Sequence, residues 1–291
     1  MKIAVVIATF NRRRLLQYLL GQIKSLNVPP NVILATIVIV DGSTDGTFEM
    51  LEESFKETVV IRGDGNWWWT KCMNAGFKKA IELDQDFVLI MNDDVELNQN
   101  YLETLLEEYH GLPDGAILGS PSVSIEEPHW IESSGTYEFK KLSCKFKSYH
   151  SSRQRLDQID YKGVYPSLTL SGRGTLIPVK LFKKIGFYDE KLVQYGSDDE
   201  FIFRANLYKV PVFMSWSPVV YVHANLTSVG TAHKDDRFLA FLKSFFSDHS
   251  VNSLKKVGYL YSIYSYKFLV PFYIPYFVLG ALYSKYVKYK S

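Results

Sequence analysis

The first 120 residues alternate short apolar runs with segments in which apolar residues recur at helical spacing. The apolar runs are rich in β-branched residues and are four to eight residues long, which is typical of buried strands. Strands are predicted over 3–10, 33–40, 58–62 and 87–91, and helices over 15–26, 44–56 and 71–83. Alternation of this kind indicates an α/β fold with a mostly parallel central sheet flanked by helices.

The second half of the chain has a less regular pattern. Residues 121–165 mix polar and apolar positions without a clean period, so no element is predicted there. Beyond them, helices are predicted over 179–185 and 199–208, and strands over 210–216 and 219–223. Ser171-Gly172-Arg173-Gly174-Thr175 predicts a glycine-rich turn in extended chain.

The C-terminal segment differs in composition from the rest. Residues 259–289 contain nine tyrosines, and no Asp or Glu follows Asp248, whereas six lysines do. Residues 268–284 are uncharged but are interrupted by Pro271 and Pro275, which suits a helix lying at a bilayer interface better than one that spans it. The alternative is that this helical, aromatic and basic tail packs on the rest of the chain or on a second subunit.

Overall composition narrows the class of protein. With 291 residues, 47% hydrophobic and 22% charged, the chain has enough apolar side chains for a large core. A net charge of +2 gives no reason to expect a nucleic-acid partner. The two cysteines make a disulfide framework unexpected. The apolar start is followed by Arg12-Arg13-Arg14, the wrong charge order for a signal peptide, so a cytoplasmic protein is expected.

Polar residues follow three of the predicted strands. Thr9 to Asn11, Asp41 and Asn92-Asp93-Asp94 would share one rim, because ligands of parallel sheets bind beyond the carboxyl ends of the strands. Adjacent carboxylates need a counter-charge when buried, and Mg²⁺ or Mn²⁺ would supply it. The alternatives are an acidic helix cap at Asp93-Asp94 and an ordinary capped turn at Asp41.

Two further motifs lie in the second half. Asp198 and Glu200 belong to an acidic cluster at a predicted helix start, where a carboxylate is a candidate general base or simply stabilises the helix. His223 follows an apolar run, and it is either a core residue or a metal ligand beside a carboxylate.

Three consecutive tryptophans follow the Gly65-Asn66 turn. Trp67, Trp68 and Trp69 cannot all face one core, so at least one should line an open surface, where an indole face stacks on a sugar ring. The alternative is a structural hydrophobic loop.

Taken in order, these motifs resemble family-2 glycosyltransferases with the GT-A nucleotide-sugar-binding fold. The resemblance covers roughly residues 1–225. It rests on segments 5–12, 39–47, 66–76, 89–95, 171–176 and 186–190, together with Asp198-Asp199-Glu200-Phe201-Ile202-Phe203-Arg204.

The resemblance implies an activity and a role for each motif. It implies a metal-dependent inverting transferase that moves a sugar from a UDP- or dTDP-sugar to a hydroxyl of a glycan or lipid-linked glycan in cell-surface polysaccharide synthesis. Asp198 would be the catalytic base, and Asp94 would bind Mg²⁺ or Mn²⁺. The nucleotide would lie on Thr9, Asn11, Arg12, Asp41, Asn66 and Asp93. The donor and acceptor sugars would lie on Trp67, Trp68, Trp69, Gly172, Arg173 and Glu200.

The resemblance, together with the composition of the tail, which the resemblance does not explain, suggests how the chain is divided. Residues 1–235 would form the catalytic domain, with a nucleotide-binding half (1–120) and an acceptor-binding half (121–235). Residues 236–291 would form the tail, placing the protein on the inner face of the cytoplasmic membrane or mediating a homodimer.

The sequence also departs from the family pattern. Asn92 replaces the first Asp of an Asp-x-Asp motif, so metal ligation should rest on Asp94 with help from His223. The element at Asp198 is similar to the Trp-Asp-Asp-x-Glu element of galactofuranosyltransferases, in which a downstream His, here His223, joins the metal. Ser197 stands where a relative often has an acidic residue, which weakens that likeness. A nucleotidylyltransferase is a weaker alternative, because no glycine-rich phosphate loop follows the first strand. A non-catalytic glycan-binding module on the same scaffold is the third possibility.

Overall fold

The computed structural model describes residues 1–126, 128–223 and 238–285. The strands are β1 (Lys2–Thr9), β2 (Ile33–Asp41), β3 (Val59–Gly63), β4 (Phe87–Asn92), β5 (Val95–Leu97), β6 (Ile117–Gly119), β7 (Ser122–Ser124), β8 (Ile131–Ser133), β9 (Thr136–Lys140), β10 (Lys145–Ser148), β11 (Val164–Pro166), β12 (Thr175–Pro178), β13 (Val212–Ser215) and β14 (Val220–Val222). The helices are α1 (Arg13–Lys24), α2 (Thr47–Ser54), α3 (Trp68–Glu82), α4 (Tyr101–His110), α5 (Lys180–Ile185), α6 (Ser197–Leu207), α7 (Phe238–Ser244), α8 (Leu254–Tyr264) and α9 (Val270–Tyr283).

An eight-stranded sheet forms the centre, in the order β11-β13-β6-β12-β4-β1-β2-β3. β3, β2, β1 and β4 are parallel, as the alternating strands and helices predicted. β12 runs antiparallel to both of its neighbours, β4 and β6. The entry to β12 therefore lies at the edge of the sheet where β4 ends, since Thr175 pairs with Ile90.

The sheet is buried on both faces, which is why its inner strands are almost wholly apolar. Ile3 to Ile7 in β1 are at most 1% exposed. Successive side chains of these strands point to opposite faces of the sheet and belong to two separate core clusters, one on each face. α3 packs so closely on one face of the sheet that a Cβ at Gly76 would lie only 2.3 Å from Cγ1 of Val6.

Four short strands, β7, β8, β9 and β10, lie in the segment 121–165, for which no element was predicted, whereas β14 falls within the predicted strand 219–223. β5, β14, β7 and β8 form a four-stranded sheet in the order β5-β14-β7-β8, and β9 pairs with β10. These strands are three to five residues long, and only some of their side chains are buried. Strands this short leave too little periodicity in the sequence to be recognised.

The tail is helical, as predicted, and its first part packs on the preceding chain. The ring of Tyr264 in α8 lies 4.6 Å from that of Phe203 in α6 and 5.4 Å from that of Phe146 in β10. α9 has no buried residue. Across the described ranges, no helix combines the length and apolarity that crossing a membrane requires. The predicted domain boundary at residue 235 lies outside the described residues.

Candidate active site

The predicted rim forms where β1, β2 and β4 end. Thr9 pairs with Val40 and Ala8 pairs with Asn92, so the polar residues that follow these strands meet at one edge of the sheet. The Oγ1 of Thr9 donates a hydrogen bond of 2.8 Å to Oδ2 of Asp93, and both residues are buried. The loops after β1 and β2 are also joined, since Oδ1 of Asn11 accepts the N–H of Thr44 at 2.8 Å.

Arg12 supplies the counter-charge that the adjacent carboxylates require. Its Nη1 lies 2.9 Å from Oδ1 of Asp93 and 3.0 Å from Oδ2 of Asp94. The two carboxylates are 6% and 2% exposed, whereas the Arg12 side chain is 30% exposed. Burial raises the pKa of Asp93 to about 6, and the positive charge of Arg12 acts in the opposite direction. One cation therefore bridges two buried anions.

One carboxylate oxygen of Asp94 is left available to bind a further group. Its Oδ1 is buried and has no hydrogen-bond partner among the described residues. Leaving a buried carboxylate oxygen unsatisfied costs free energy, which a bound cation would recover. Across the described ranges, however, no three His, Cys, Asp or Glu side chains are grouped so that they could hold a metal ion. A cation here would need oxygen ligands from another molecule.

His223 directly follows β14 and lies beside Asp94, which directly precedes β5. Its backbone N–H donates to the carbonyl of Asp94 at 3.3 Å, while its Nε2 lies 2.8 Å from Oε1 of Glu96. Glu96 was not singled out in the sequence, because its only signal was a position two residues after Asp94. A carboxylate on one ring nitrogen is the usual outer partner of a metal-binding histidine. Whether His223 is a metal ligand stays a prediction.

Asp41 organises residues 64–68, the segment that leads from β3 into α3 and is called here the tryptophan loop. Its Oδ1 accepts the N–H of Gly65 at 2.8 Å, and its Oδ2 accepts those of Trp67 and Trp68, both at 2.9 Å. Close approach of the chain at this point requires glycine: a Cβ at Gly42 would lie 2.6 Å from Cα of Gly65. In this arrangement, Asp41 holds the loop next to the rim through backbone donors.

The three tryptophans have different surroundings, as their spacing predicted. Trp67 is half-buried with the Lys71 ammonium 4.8 Å from its ring centroid. Trp68, which has a φ of 57°, is 39% exposed and stacks on His249 at 3.7 Å between ring centroids. Trp69 is half-buried and packs against Gly172, where a Cβ would lie 2.8 Å from Cζ2 of the indole.

Asp198 lies at the N-terminus of α6, next to the loop that enters β12. Its Oδ2 accepts the N–H of Gly172 at 2.9 Å. The neighbouring Ser197 accepts a hydrogen bond of 2.8 Å from Oγ1 of Thr70 in α3, which ties α6 to the helix that follows the tryptophan loop. The loop that contains Gly172 and binds Asp198 runs beside the end of β4, since Gly174 of the same loop donates its N–H to the carbonyl of Ile90.

The electrostatics around Asp198 suit a group that exchanges protons. Burial raises the pKa of its carboxyl, whereas the backbone N–H groups of Gly172 and Asp199 and the charge of Arg173 lower it. Lys256 of α8 adds a cation whose charge acts mainly on Asp199 and more weakly on Asp198. Burial lowers the pKa of Lys256 to about 8, and those two carboxylates oppose this shift. Lys256 was not predicted as a site residue, because it follows Asp198 by 58 positions in the tail.

Two further predicted site residues make hydrogen bonds of their own in the structure. Glu200 is 4% exposed, and its two oxygens accept hydrogen bonds of 2.8 Å each from Nε and Nη2 of Arg204. This pairing favours a structural role, and its contact with a sugar stays a prediction. Asn66 is exposed at the start of the tryptophan loop, where its N–H donates to Oδ1 of Asp64 at 2.9 Å.

Comparison with known proteins identifies the family of the chain. Residues 4–186 match the family described as Glycosyl transferase family 2. The chain belongs to glycosyltransferase family 2. Among curated proteins, no sequence match was found.

Solved structures show that this family-2 glycosyltransferase has the GT-A fold. GalNAc-T7, determined with UDP, GalNAc and Mn²⁺, is similar over 96% of this chain at a TM-score of 0.60 and 15% identity, and this chain spans 57% of it. Residues 1–349 of TarS from S. aureus are similar over 88% of this chain and 68% of that one, at a TM-score of 0.53 and 17% identity. The central sheet and its flanking helices are thus those of a GT-A enzyme, and the chain is a glycosyltransferase.

Proposed function

We propose that this glycosyltransferase moves a hexosyl or deoxyhexosyl group from a UDP- or dTDP-sugar to a hydroxyl of a glycan or lipid-linked glycan, with inversion at the anomeric carbon. The main support is the position of Asp198. Its carboxylate is held by the Gly172 N–H on a loop that borders the end of β4, which leads into Asp93 and Asp94. A proton acceptor and a cation-binding carboxylate would therefore lie beside the same edge of the sheet.

The donor nucleotide is proposed to lie on the rim where β1, β2 and β4 end, beside the loop that follows β3. Thr9, Asn11 and Arg12 border it from β1, and Asp41 from β2. Arg12 is partly exposed and would exchange its carboxylate contacts for a phosphate, because a guanidinium binds both anions in the same geometry. The binding of UDP by GalNAc-T7 supports a uridine or thymidine diphosphate at the corresponding edge of the fold.

Mg²⁺ or Mn²⁺ is proposed to bind at Asp94. The unsatisfied Oδ1 of this residue fits a hard cation, and the His223–Glu96 pair lies next to it. When bound, the cation would neutralise the charge of the departing diphosphate. Because the described residues offer no complete set of ligands, the donor's own phosphate oxygens would fill the remaining positions.

Transfer itself is proposed to be a single displacement. Asp198 would take the proton of the acceptor hydroxyl as that oxygen attacks the anomeric carbon from the face opposite the nucleotide. Its raised pKa makes it a stronger base than a solvent-exposed aspartate, and the Gly172 N–H fixes its orientation. Trp69, which packs on Gly172, and Trp68 at the surface are proposed to contact the sugars.

The tail is proposed to hold the enzyme on the inner face of the cytoplasmic membrane, near a lipid-linked acceptor. The absence of Asp and Glu after Asp248 and the tyrosine-rich composition support this role. The packing of α8 on α6 limits the membrane-facing part to the later residues of the tail.

Nucleotide release tests the proposed donor site. Wild-type protein should hydrolyse one of a panel of UDP- and dTDP-sugars slowly in Mn²⁺ or Mg²⁺, and EDTA should abolish this. Asp94→Ala should lose metal-dependent donor binding in calorimetry, and His223→Ala should lose less of it. Asp114→Ala is the matched control, because Asp114 is exposed and pairs with Lys180 away from the rim. Equal donor affinity in Asp94→Ala and Asp114→Ala would refute the metal site.

A further inference from the structure

The β9–β10 hairpin and α9 are in direct contact, although they are more than 120 residues apart in the chain. The hydroxyl of Tyr273 in α9 donates to the carbonyl of Leu142 at the hairpin tip, at 2.6 Å. Nζ of Lys145 donates to the hydroxyl of Tyr276 at 3.0 Å. Ser265, just before α9, donates its hydroxyl to the carbonyl of Lys141. Hairpin tip and helix therefore form one continuous surface.

This surface exposes large apolar side chains. Phe272, Tyr276, Leu279 and Tyr283 are 59–71% exposed, and their spacing of four, three and four residues places them on one side of α9. Leu142 at the hairpin tip is 72% exposed and lies beside the same helix. Soluble proteins rarely expose aligned apolar side chains of this size unless a membrane or another molecule covers them.

Apart from Glu138, which pairs with Lys147 and Lys140 on the hairpin, the charges around this surface are positive. Lys141 and Lys145 on the hairpin and Lys267 before α9 are exposed, and none of them forms an ion pair within the described ranges. Two of these ammonium groups lie over tyrosine rings of the tail, at 4.5 Å from the centroid of Tyr266 and 5.2 Å from that of Tyr276. Tyrosine rings with lysine ammonium groups above them are typical of the headgroup region of a bilayer, where the rings contact apolar chains and the ammonium groups contact phosphates.

We propose that the hairpin tip and α9 together form one docking surface for an anionic bilayer, called here the hairpin–helix surface. It comprises Leu142, Lys141 and Lys145 of the hairpin with Phe272, Tyr276 and Leu279 of α9. This inference rests on the proposed membrane association and extends it to a segment outside the tail. A bilayer is favoured over a second copy of the chain because the exposed lysines would face their own kind in a symmetric dimer.

The geometry of α9 agrees with a helix lying in the membrane plane. Its 14 residues give a length of about 21 Å, which is shorter than the hydrocarbon core, and Pro275 lies inside it. α8 connects this surface to the candidate site, because Leu260 packs on Gly196 immediately before α6. Docking through the hairpin–helix surface would thus fix the orientation of the acceptor side of the site relative to the bilayer.

Sedimentation with vesicles tests the hairpin's part, using the full chain. Wild-type protein should bind vesicles of phosphatidylcholine and phosphatidylglycerol and bind poorly to phosphatidylcholine alone. Lys141→Gln/Lys145→Gln should weaken binding by more than tenfold, since each basic residue contributes about fivefold near an anionic surface. Leu142→Ser should weaken it by about tenfold, because its side chain would no longer be buried in the interface.

Matched controls carry the same chemical changes elsewhere. Lys183→Gln/Lys184→Gln removes two exposed lysines from α5. Ile33→Ser removes an apolar side chain at the start of β2 that is 64% exposed. Both should bind vesicles like the wild type. Donor hydrolysis should be unchanged in every one of these variants, which confirms that they are folded.

Two outcomes would overturn the inference in different ways. If Phe272→Ser/Leu279→Ser loses binding while both hairpin variants bind like the wild type, the tail docks alone and the hairpin has no part. If the wild type ignores vesicles but sediments as a dimer that Phe272→Ser/Leu279→Ser dissociates, the surface joins two copies of the chain. In that case the proposed membrane association also fails, while glycosyl transfer to a water-soluble acceptor remains an independent measurement.

Discussion

Replacing Arg12 with glutamine should reveal how strongly the carboxylate pair depends on one cation. Arg12 bridges Asp93 and Asp94 at 2.9 and 3.0 Å, and both carboxylates are nearly inaccessible to water. Breaking a buried ion pair by removing one partner costs about 3–5 kcal/mol. Arg12 is partly exposed, and Asp93 can take up a proton, so we expect about 2–3 kcal/mol near neutral pH.

The pH dependence of this loss has a definite sign. Without Arg12 the pKa of Asp93 should rise above its value of about 6, because an attractive positive charge is removed. At a pH near 5 the carboxyl is then neutral in the folded variant, and the repulsion from Asp94 disappears. Arg12→Gln should therefore be least damaging in mild acid and most damaging above neutrality. Mn²⁺ should restore part of the lost stability near neutral pH if Asp94 binds it.

Urea unfolding followed by fluorescence measures these differences. Arg62→Gln is the matched control, since Arg62 pairs with Glu52 at 3.1 Å while both side chains are 65–70% exposed. Such a pair contributes about 0–1 kcal/mol. If Arg12→Gln is no less stable than Arg62→Gln at neutral pH, the carboxylate pair does not need its counter-charge and the reasoning fails.

Further variants probe the surroundings of the proposed base. Gly172→Ala should reduce transfer at least tenfold and lower the free energy of unfolding by about 1–3 kcal/mol. The reason is that the new Cβ would lie 2.8 Å from Trp69 and 3.4 Å from the Asp198 carboxylate. Activity equal to wild type would contradict the proposed packing of the site. Lys256→Met should move the acid limb of the kcat/KM profile to higher pH by about one unit or less, since a nearby cation favours the ionised carboxylate. Lys256→Arg should restore the profile, and an unshifted limb in Lys256→Met would show that this lysine has no electrostatic role.

The sequence predicted the nucleotide-binding half of the fold well for a physical reason. Buried parallel strands such as β1 and β4 must be continuous apolar runs, and these are visible without any partner. The residues that follow them, Thr9 and Asp93, could be placed on one rim by the topology rule alone, and the structure joins them by a hydrogen bond.

Contacts between distant segments could not be predicted in the same way. The Arg12–Asp93 bridge joins residues 81 positions apart, and the Lys145–Tyr276 contact joins residues 131 positions apart. Nothing local marks such partners, because the periodicity of a segment reports only which of its faces is buried. The tail shows the consequence: its composition predicted a helical surface element, but not that α8 would bring Lys256 towards Asp198.

The rate of sugar transfer by Asp198→Asn tests the central claim most directly. Asparagine keeps the size of the side chain but cannot accept the acceptor's proton, so transfer should fall by about two to four orders of magnitude. Donor binding in calorimetry should be unchanged, because Asp198 is proposed to act on the acceptor. Transfer close to the wild-type rate, or loss of nucleotide binding together with transfer, would contradict the assignment of Asp198 as the base.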